Sequence, residues 1–443
     1  MYKYSPDFVN QLELFELSMP FGGKLDRQNR WVQLSSLIDW RGFDYAYGKL
    51  FSDIGRPALP ARMVIGSLII KHVKEVSDEE VVQEIIESPY LQFFIGLKTF
   101  SYEPAFDSSS LSNVRKRLGE ETFIEFEQTI INMLVSHNLI KPKGLQKDAT
   151  VFESEITYPT DTGLLNKARL FCVKQIRRYS KIVGKKFRTY CRVAQRAYVN
   201  FSKKRRKTKK QVRSMQKQLL QYLRRNIKQL SELMGQVFDL GHQIPSSILD
   251  TFETVKRIYL QQKEMYRERK HTVLSRIVSL HKPYIRPIVR GKSGKEVEFG
   301  PKVDLSYVDG YVFFDHIDFE NFNESTNFIP GVEKFQQRFG KYPDDAVTDQ
   351  IYGTRANRGY LNQRKIRHAG KPLGRQSRQS EAEKERRWRR KKQRERNRIE
   401  GSIGYGKTNF HLGLITAKLP ETEKSWIKMG LIAQDLITAT KRI

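Results

Sequence analysis

A chain of 443 residues can bury a sizeable core in two or three domains, and 39% hydrophobic with 11% aromatic content excludes a disordered polymer. Its 80 Lys and Arg against 49 Asp and Glu give a net charge of +31, so a polyanionic partner is expected, nucleic acid ahead of an anionic membrane surface. No apolar run has bilayer length, the best, Met63 to Val73, being broken by Gly66, Ser67 and Lys71. The start of the chain lacks a signal-peptide core, and Cys172 and Cys191 are too few for a disulfide framework or a Cys-rich zinc site. A reducing, cytoplasmic setting is therefore expected, with no membrane span.

Residues 1–60 mix aromatics with few regular patterns and read as an arm that packs on something larger. Helical periodicity begins after Pro60 with Met63, Val64, Leu68, Ile69 and Val73. Ser77-Asp78-Glu79-Glu80 reads as a capping box ahead of Val81, Val82, Ile85 and Ile86. Asp107-Ser108-Ser109-Ser110 opens another helix, with Leu111, Val114 and Leu118 turned inward and Arg115, Lys116 and Arg117 exposed, and Glu120 to Leu139 is again amphipathic. Residues 61–140 are thus expected to form a helical domain. Its basic helix either lies against DNA, as a helix-turn-helix variant would, or only carries a solvated face.

The texture changes at Gly144 to Phe152, a short β-type run with Asp148 near its middle; Asp is depleted in strands and needs a reason to be there. Tyr158 to Gly163 reads as a loop. From Leu164 to about Leu280 the chain is helical and basic. Val212, Met215, Leu219, Leu223, Ile227, Leu230 and Met234 form one stripe of a long helix, and just before it the run Lys203, Lys204, Arg205, Arg206, Lys207 is a solvated linker or a clamp on phosphate backbone, the net charge favouring the clamp.

β texture returns at Val297 to Gly300 and from Val303 to Phe314, with turn signals at Gly300-Pro301 and Asp309-Gly310. Phe319 to Asn327 is a loop and Val332 to Phe339 a helix. Asp345 to Asp349 is a short run ending in Asp, Thr354 caps another helix, and Lys365 to His368 carries a last β signal. A charged helix starts near Ser380, runs into Glu400, and is followed by an amphipathic helix from Glu423 to Thr440. Strands flanking a helical insertion imply an α/β domain in two parts, 141–165 and 291–415, interrupted by 166–290 and followed by a C-terminal helix, 416–443.

One stretch concentrates chemistry. Arg396, Glu400, Ile403 and Lys407, four, three and four residues apart, share a face if the segment is helical, which places a carboxylate between two cations. Such a carboxylate can ligate a hard cation while Arg396 and Lys407 grip phosphate oxygens, or it can be one half of a solvated ion pair. Phosphoryl transfer on a nucleic-acid backbone needs two divalent ions about 3.5–4 Å apart on carboxylate ligands. Asp148 is assigned as the ligand shared by both ions, with Asp349 and Glu400 serving one each.

Three ordered blocks carry a resemblance. Lys147 to Val151 with Tyr158 to Asn166, then Thr348-Asp349-Gln350-Ile351-Tyr352-Gly353, then Arg396, Glu400 and Lys407, together resemble the three acidic blocks of DDE transposases of bacterial insertion sequences. The family places Tyr three residues before that Arg; here the position is Gln393. The resemblance implies a ribonuclease H-like mixed sheet flanked by helices, Asp148, Asp349 and Glu400 as catalytic and metal-ligating acids, and two Mg²⁺ or Mn²⁺ ions. It also implies terminal inverted repeats and target DNA as substrates, with a homodimer on paired ends.

Rival readings are a DNA-binding relic without chemistry and a nuclease or resolvase that cuts without joining. Gly401 to Thr408 also satisfies the pattern G-x-x-x-x-G-K-[ST] of a P-loop, yet a P-loop follows a buried apolar strand and Arg389 to Arg398 is almost wholly charged. The glycines at 401, 404 and 406 each cost a helix about 1 kcal/mol relative to Ala, so the segment must be held by packing or end soon after Glu400.

Overall fold

Residues 1–4, 11–292, 295–372 and 380–443 are described by a computed structural model. Helices come first: α1 (Gln11–Leu17), α2 (Arg30–Leu37), α3 (Trp40–Gly48), α4 (Ala61–Lys74), α5 (Asp78–Glu87), α6 (Pro89–Phe94), α7 (Ser109–Arg117) and α8 (Glu120–Ser136). Strand β1 (Gly144–Val151) precedes α9 (Asp161–Val183), α10 (Cys191–Ser202), α11 (Lys209–Asp239) and α12 (Ser246–Glu268). Then follow β2 (Pro287–Lys292), β3 (Lys295–Phe299), β4 (Lys302–Val308), β5 (Tyr311–Asp318), α13 (Phe328–Phe339), β6 (Asp345–Thr348), α14 (Arg355–Gln363) and β7 (Arg367–His368). The chain closes with α15 (Ser380–Glu395), α16 (Asn397–Asn409) and α17 (Pro420–Thr440). It divides into two units, Met1–Ser154 with Pro301–Ile443, and Glu155–Gly300.

The first unit is built on a five-stranded mixed sheet in the order β5-β4-β1-β6-β7. β4 runs antiparallel to both β1 and β5, while β6 is parallel to β1 and β7 to β6. Successive β1 side chains point to opposite faces. Lys147 meets α13 at Gly331, where an added Cβ would collide with its ammonium, and Thr150, of opposite parity, meets Lys407 of α16. Helices therefore cover both faces.

Residues 1–60, expected as an arm that packs on something larger, do pack on the rest of the first unit, but as regular helices. Trp31, Leu34 and Leu37 of α2 and Phe43 and Tyr47 of α3 join the same core as Leu145 of β1 and Leu436 of α17, while Phe15 of α1 packs in a smaller cluster with Leu25, Val32 and Phe93. The capping box forms as expected, Ser77 and Glu80 exchanging bonds with each other's backbone. The last helix is not amphipathic either: α17 is buried on nearly every side, because its polar residues have internal partners. Glu423 accepts from Ser154 Oγ at 2.7 Å, Asp435 accepts from the Val312 amide of β5 at 2.9 Å, and Gln434 donates to the Ser402 carbonyl at 3.0 Å. Helical domain, sheet and last helix thus share one core instead of forming separate bodies.

In the second unit α9, α11 and α12 bury Leu165, Cys172, Ile176, Leu219, Leu223, Leu230, Val255 and Ile258, the long stripe of α11 facing inward as its spacing requires. β2 and β3 pair antiparallel within this unit, so the β signal at Val297 belongs to the insertion, not to the sheet around β1. The insertion accordingly spans 155–300 instead of 166–290. The loop expected through Gly163 already turns helical at Asp161, with Thr160 as its cap.

Candidate active site

In the parallel pairing of β1 with β6, Lys147 lies opposite Thr348. The residues that follow are Asp148, still within β1, and Asp349, just past the end of β6. Asp349 caps the turn Gln350–Tyr352, accepting from the Gln350 amide, while Asp148 accepts from the Ala149 amide at 2.9 Å. Each carboxylate is thus steadied by the backbone of the residue after it.

The third acid comes from the helices. Arg396 occupies the junction of α15 and α16, with Nη2 2.7 Å from Glu400 Oε1 and Nη1 3.9 Å from Asp349 Oδ2. One guanidinium thus faces two of the three acids, both with about half of the side chain in solvent. Among the described residues no three acidic, His or Cys side chains form a closed metal-binding group. The donors fit a hard divalent cation in kind, being carboxylates on firm elements, but Arg396 lies between two of them. α16 stays helical through its glycines because Ile399, Ile403 and Gly406 are buried, Gly406 against Gln434 of α17. Gly401 to Thr408 lie inside that helix, which removes the P-loop reading, since no phosphate-cradling loop exists there.

Two residues anchor this geometry from outside the acids. Gln393 Nε2 donates to the Thr348 carbonyl at 3.3 Å and the Ala369 carbonyl at 3.1 Å, tying α15 to the strand end that precedes Asp349. Lys407, expected to grip phosphate, instead donates to Thr150 Oγ1 at 3.1 Å and the Val151 carbonyl at 2.7 Å, and so holds α16 against β1.

Beneath the acids lies a buried charge network that sequence reasoning missed. Lys147 Nζ stands 2.8 Å from Asp304 Oδ2 and also pairs with Asp315; Tyr352 Oη donates to Asp304 Oδ1 at 3.1 Å. Arg338 donates to Asp315 at 2.6 Å and pairs with Glu127 of α8 at 2.9 Å. Burial pushes the Asp304 carboxyl up to about 6 against the pull of Lys147. Asp304 therefore binds the neighbour of Asp148 and the turn capped by Asp349 at once. A signal for it exists in the sequence: an Asp inside a strand, the argument applied to Asp148, holds equally for Asp304 and Asp315.

The basic clusters separate. Arg115 is buried and bonded to Asp78, Nη1 to Oδ1 at 2.8 Å, and Asp78 also meets Lys71 at 3.0 Å; Arg115 pins α7 to the start of α5 and is not exposed as expected. Lys116 and Arg117 are exposed, Arg117 lying over the Phe51 ring. Lys203, Lys204, Arg205, Arg206 and Lys207 form an exposed loop between α10 and α11.

Residues 20–117 match the family model described as Transposase domain (DUF772), and residues 346–435 match the one described as Transposase DDE domain. The second span contains Asp349, Gln393, Arg396, Glu400 and Lys407; Asp148 lies outside both. A curated relative, the uncharacterized protein ORF8 in the nfe locus of Rhizobium meliloti, is 36% identical over 172 residues, 38% of this chain and 81% of that protein. No solved structure matches. No helix among the described residues is long and apolar enough to cross a membrane.

Proposed function

We propose, from the premise that this chain belongs to the DDE transposases of insertion sequences and so acts on DNA, that Asp148, Asp349 and Glu400 form its catalytic centre. The sheet, with three antiparallel strands continued by two parallel ones and acids on the first strand, after the fourth and on a following helix, supports a ribonuclease H-like reading. The three carboxylates would hold two divalent ions, Mg²⁺ or Mn²⁺, with Asp148 shared, and such ions supply charge stabilisation for in-line displacement at phosphorus.

In the first reaction water attacks the phosphodiester at an element end, the bond from phosphorus to O3′ breaks, and a 3′-hydroxyl is freed. In the second that hydroxyl attacks a target phosphodiester, forming a new ester as a target 3′-hydroxyl leaves. Arg396, set between Asp349 and Glu400, turns to the scissile phosphate, while Gln393 and Lys407 keep helix and strands in register. Lys116, Arg117 and the loop Lys203 to Lys207 contact phosphates of the terminal inverted repeats and of target DNA, with two copies of the chain on paired ends.

The observation that carries this reading is the single guanidinium of Arg396 facing acids from two distant segments, one of them just past the end of the strand paired with β1. The test is metal-dependent nicking of end-containing DNA by the purified protein, expected to vanish in Asp349→Asn with DNA binding kept. Undiminished nicking by that variant would overturn the assignment. A strand-transfer assay separates joining from cutting alone.

A further inference from the structure

Residues 162–231 hold 23 Lys and Arg and not one Asp or Glu, and they make up α9, α10 and most of α11. Acids of this unit gather instead near the end of α11 and on α12, where Lys256 pairs with Glu253 at 2.7 Å and Lys270 with Glu268 at 2.9 Å. Among the described residues only Lys185 of the acid-free stretch meets an acid, Glu232 at the far end of α11; its other cations have none.

α10 is the centre of that stretch. Only Ala194 of its twelve residues is buried, and Arg192 and Arg196, one turn apart, are exposed on a stripe that continues into Lys203. Among the described residues none of the three has an acidic partner. Even the fully buried Arg169, which fastens α9 to α10, is met by neutral groups only: Asn166 Oδ1 at 2.8 Å and Gln195 Oε1 at 2.9 Å.

The other end of α10 is stiffened. Tyr190, its N-terminal cap, has φ of 54°, a left-handed conformation that a bulky residue rarely adopts. Guanidinium groups of Arg188 and Arg225 lie 4.7 and 4.5 Å from its ring centroid, and Gln229 of α11 donates to the Arg188 carbonyl at 3.3 Å. A rigid aromatic held between two cations fixes both charges in place.

We propose that α10, with the loops at its two ends, is a docking face for the phosphate backbone of duplex DNA, in which Arg188, Arg192, Arg196 and Arg225 act together with Lys203. The inference rests on DNA being the partner but not on the chemistry proposed for the first unit. A helix so thinly attached, in a stretch so depleted of acid, would repel itself unless a polyanion lay against it.

The test is binding of the full-length protein to a short duplex of arbitrary sequence, followed by fluorescence anisotropy across a NaCl series. Each phosphate contact contributes about 0.9 to the slope of log K against log salt, so the double variant Arg192→Gln with Arg196→Gln should flatten that slope by about 2. Lys256→Gln with Arg257→Gln, an equal loss of charge on α12, should leave it as in the wild type. An unchanged slope in the α10 variant, or equal flattening in both, overturns the proposal; circular dichroism melts show that both variants fold. Wild-type nicking of end-containing DNA is scored separately, so failure of the catalytic reading and failure of this face are distinguishable.

Discussion

The two units handle the same residue types in opposite ways. In the first, cations are taken inside and paired: Lys147 with Asp304 and Asp315, Arg338 with Asp315 and Glu127, Arg115 with Asp78. Each pairing joins segments remote in sequence, so what it contributes is geometry. In the second unit 35 Lys and Arg face 10 Asp and Glu, a net +25 of the chain's +31, and most of the cations are left in water. There the contribution proposed for them is sequence-independent attraction for phosphate. A Lys or Arg in this protein is thus interpretable only through its partner.

The contrast breaks most visibly at the acids themselves. Asp349→Asn keeps size and hydrogen bonding but removes the charge, and cleavage should fall on the order of a thousandfold, the scale seen when one group stabilising transition-state charge is lost. DNA affinity should hold if, as proposed, the exposed cations supply it. A fall in affinity matching the fall in cleavage would mean that Asp349 organises the DNA-binding surface as well, and the division of labour would fail.

The buried network comes next. Lys147→Met fills the same space but leaves Asp304 and Asp315 facing each other, and breaking a buried ion pair on one side costs about 3–5 kcal/mol. Trp31, Trp40, Trp388 and Trp426 all lie in the first unit, so urea unfolding followed by tryptophan fluorescence reads this unit alone. A change below about 1 kcal/mol would show that the pairs are dispensable, as isolated surface pairs are.

What the sequence made legible follows the same division. Runs with one dominant period, the α11 stripe and the Ser77 capping box among them, fold as their spacing requires, because local rules decide them. Asp148, Asp349 and Glu400 stand out through residue type and order. Buried polar groups do not. Arg115 sits in a basic triplet that looks solvated, and only Asp78, thirty-seven residues away, takes it inside. α17 looks amphipathic until Ser154, Ser402 and the Val312 amide are seen to satisfy its polar side. Periodicity counts every polar residue as a vote for solvent, and long-range pairs overturn that count.

Acid should loosen the first unit in part through one side chain. His72 is wholly buried, Nδ1–H donating to the Phe410 carbonyl at 3.1 Å, and burial drives its pKa down from the usual 6.5 to about 3. A depressed folded value means that the contribution is intact above 6.5 and is lost progressively as pH falls toward 3. By pH 4 the loss should be on the order of 3 kcal/mol. The Trp426 ring, its centroid 5.5 Å from that of His72, gives a local fluorescence reading. His72→Asn should make the slope between pH 6.5 and 4 shallower without abolishing it, since burial also drives the His368 pKa down to about 4; an equally steep slope in the variant would assign the acid sensitivity to other groups.

The smallest effect sharpens the comparison most, because it concerns a neutral residue. Gln393 does between α15 and β6 what ion pairs do elsewhere in the first unit, and it does so with two hydrogen bonds to the Thr348 and Ala369 carbonyls. Gln393→Ala should cost about 1 kcal/mol of stability, the net worth of an ordinary hydrogen bond or two. Its effect on nicking should exceed that cost, since Arg396 at the junction and Glu400 in the first turn of α16 follow it by three and seven residues, and small misplacements of reacting groups are amplified in rate. About a tenfold loss of nicking with DNA affinity unchanged is the expected result, with Gln393→Asn retaining more activity than Gln393→Ala. If stability and nicking fall together by only the same small factor, Gln393 merely packs, and the register of Glu400 against Asp349 must be set by Arg396 alone.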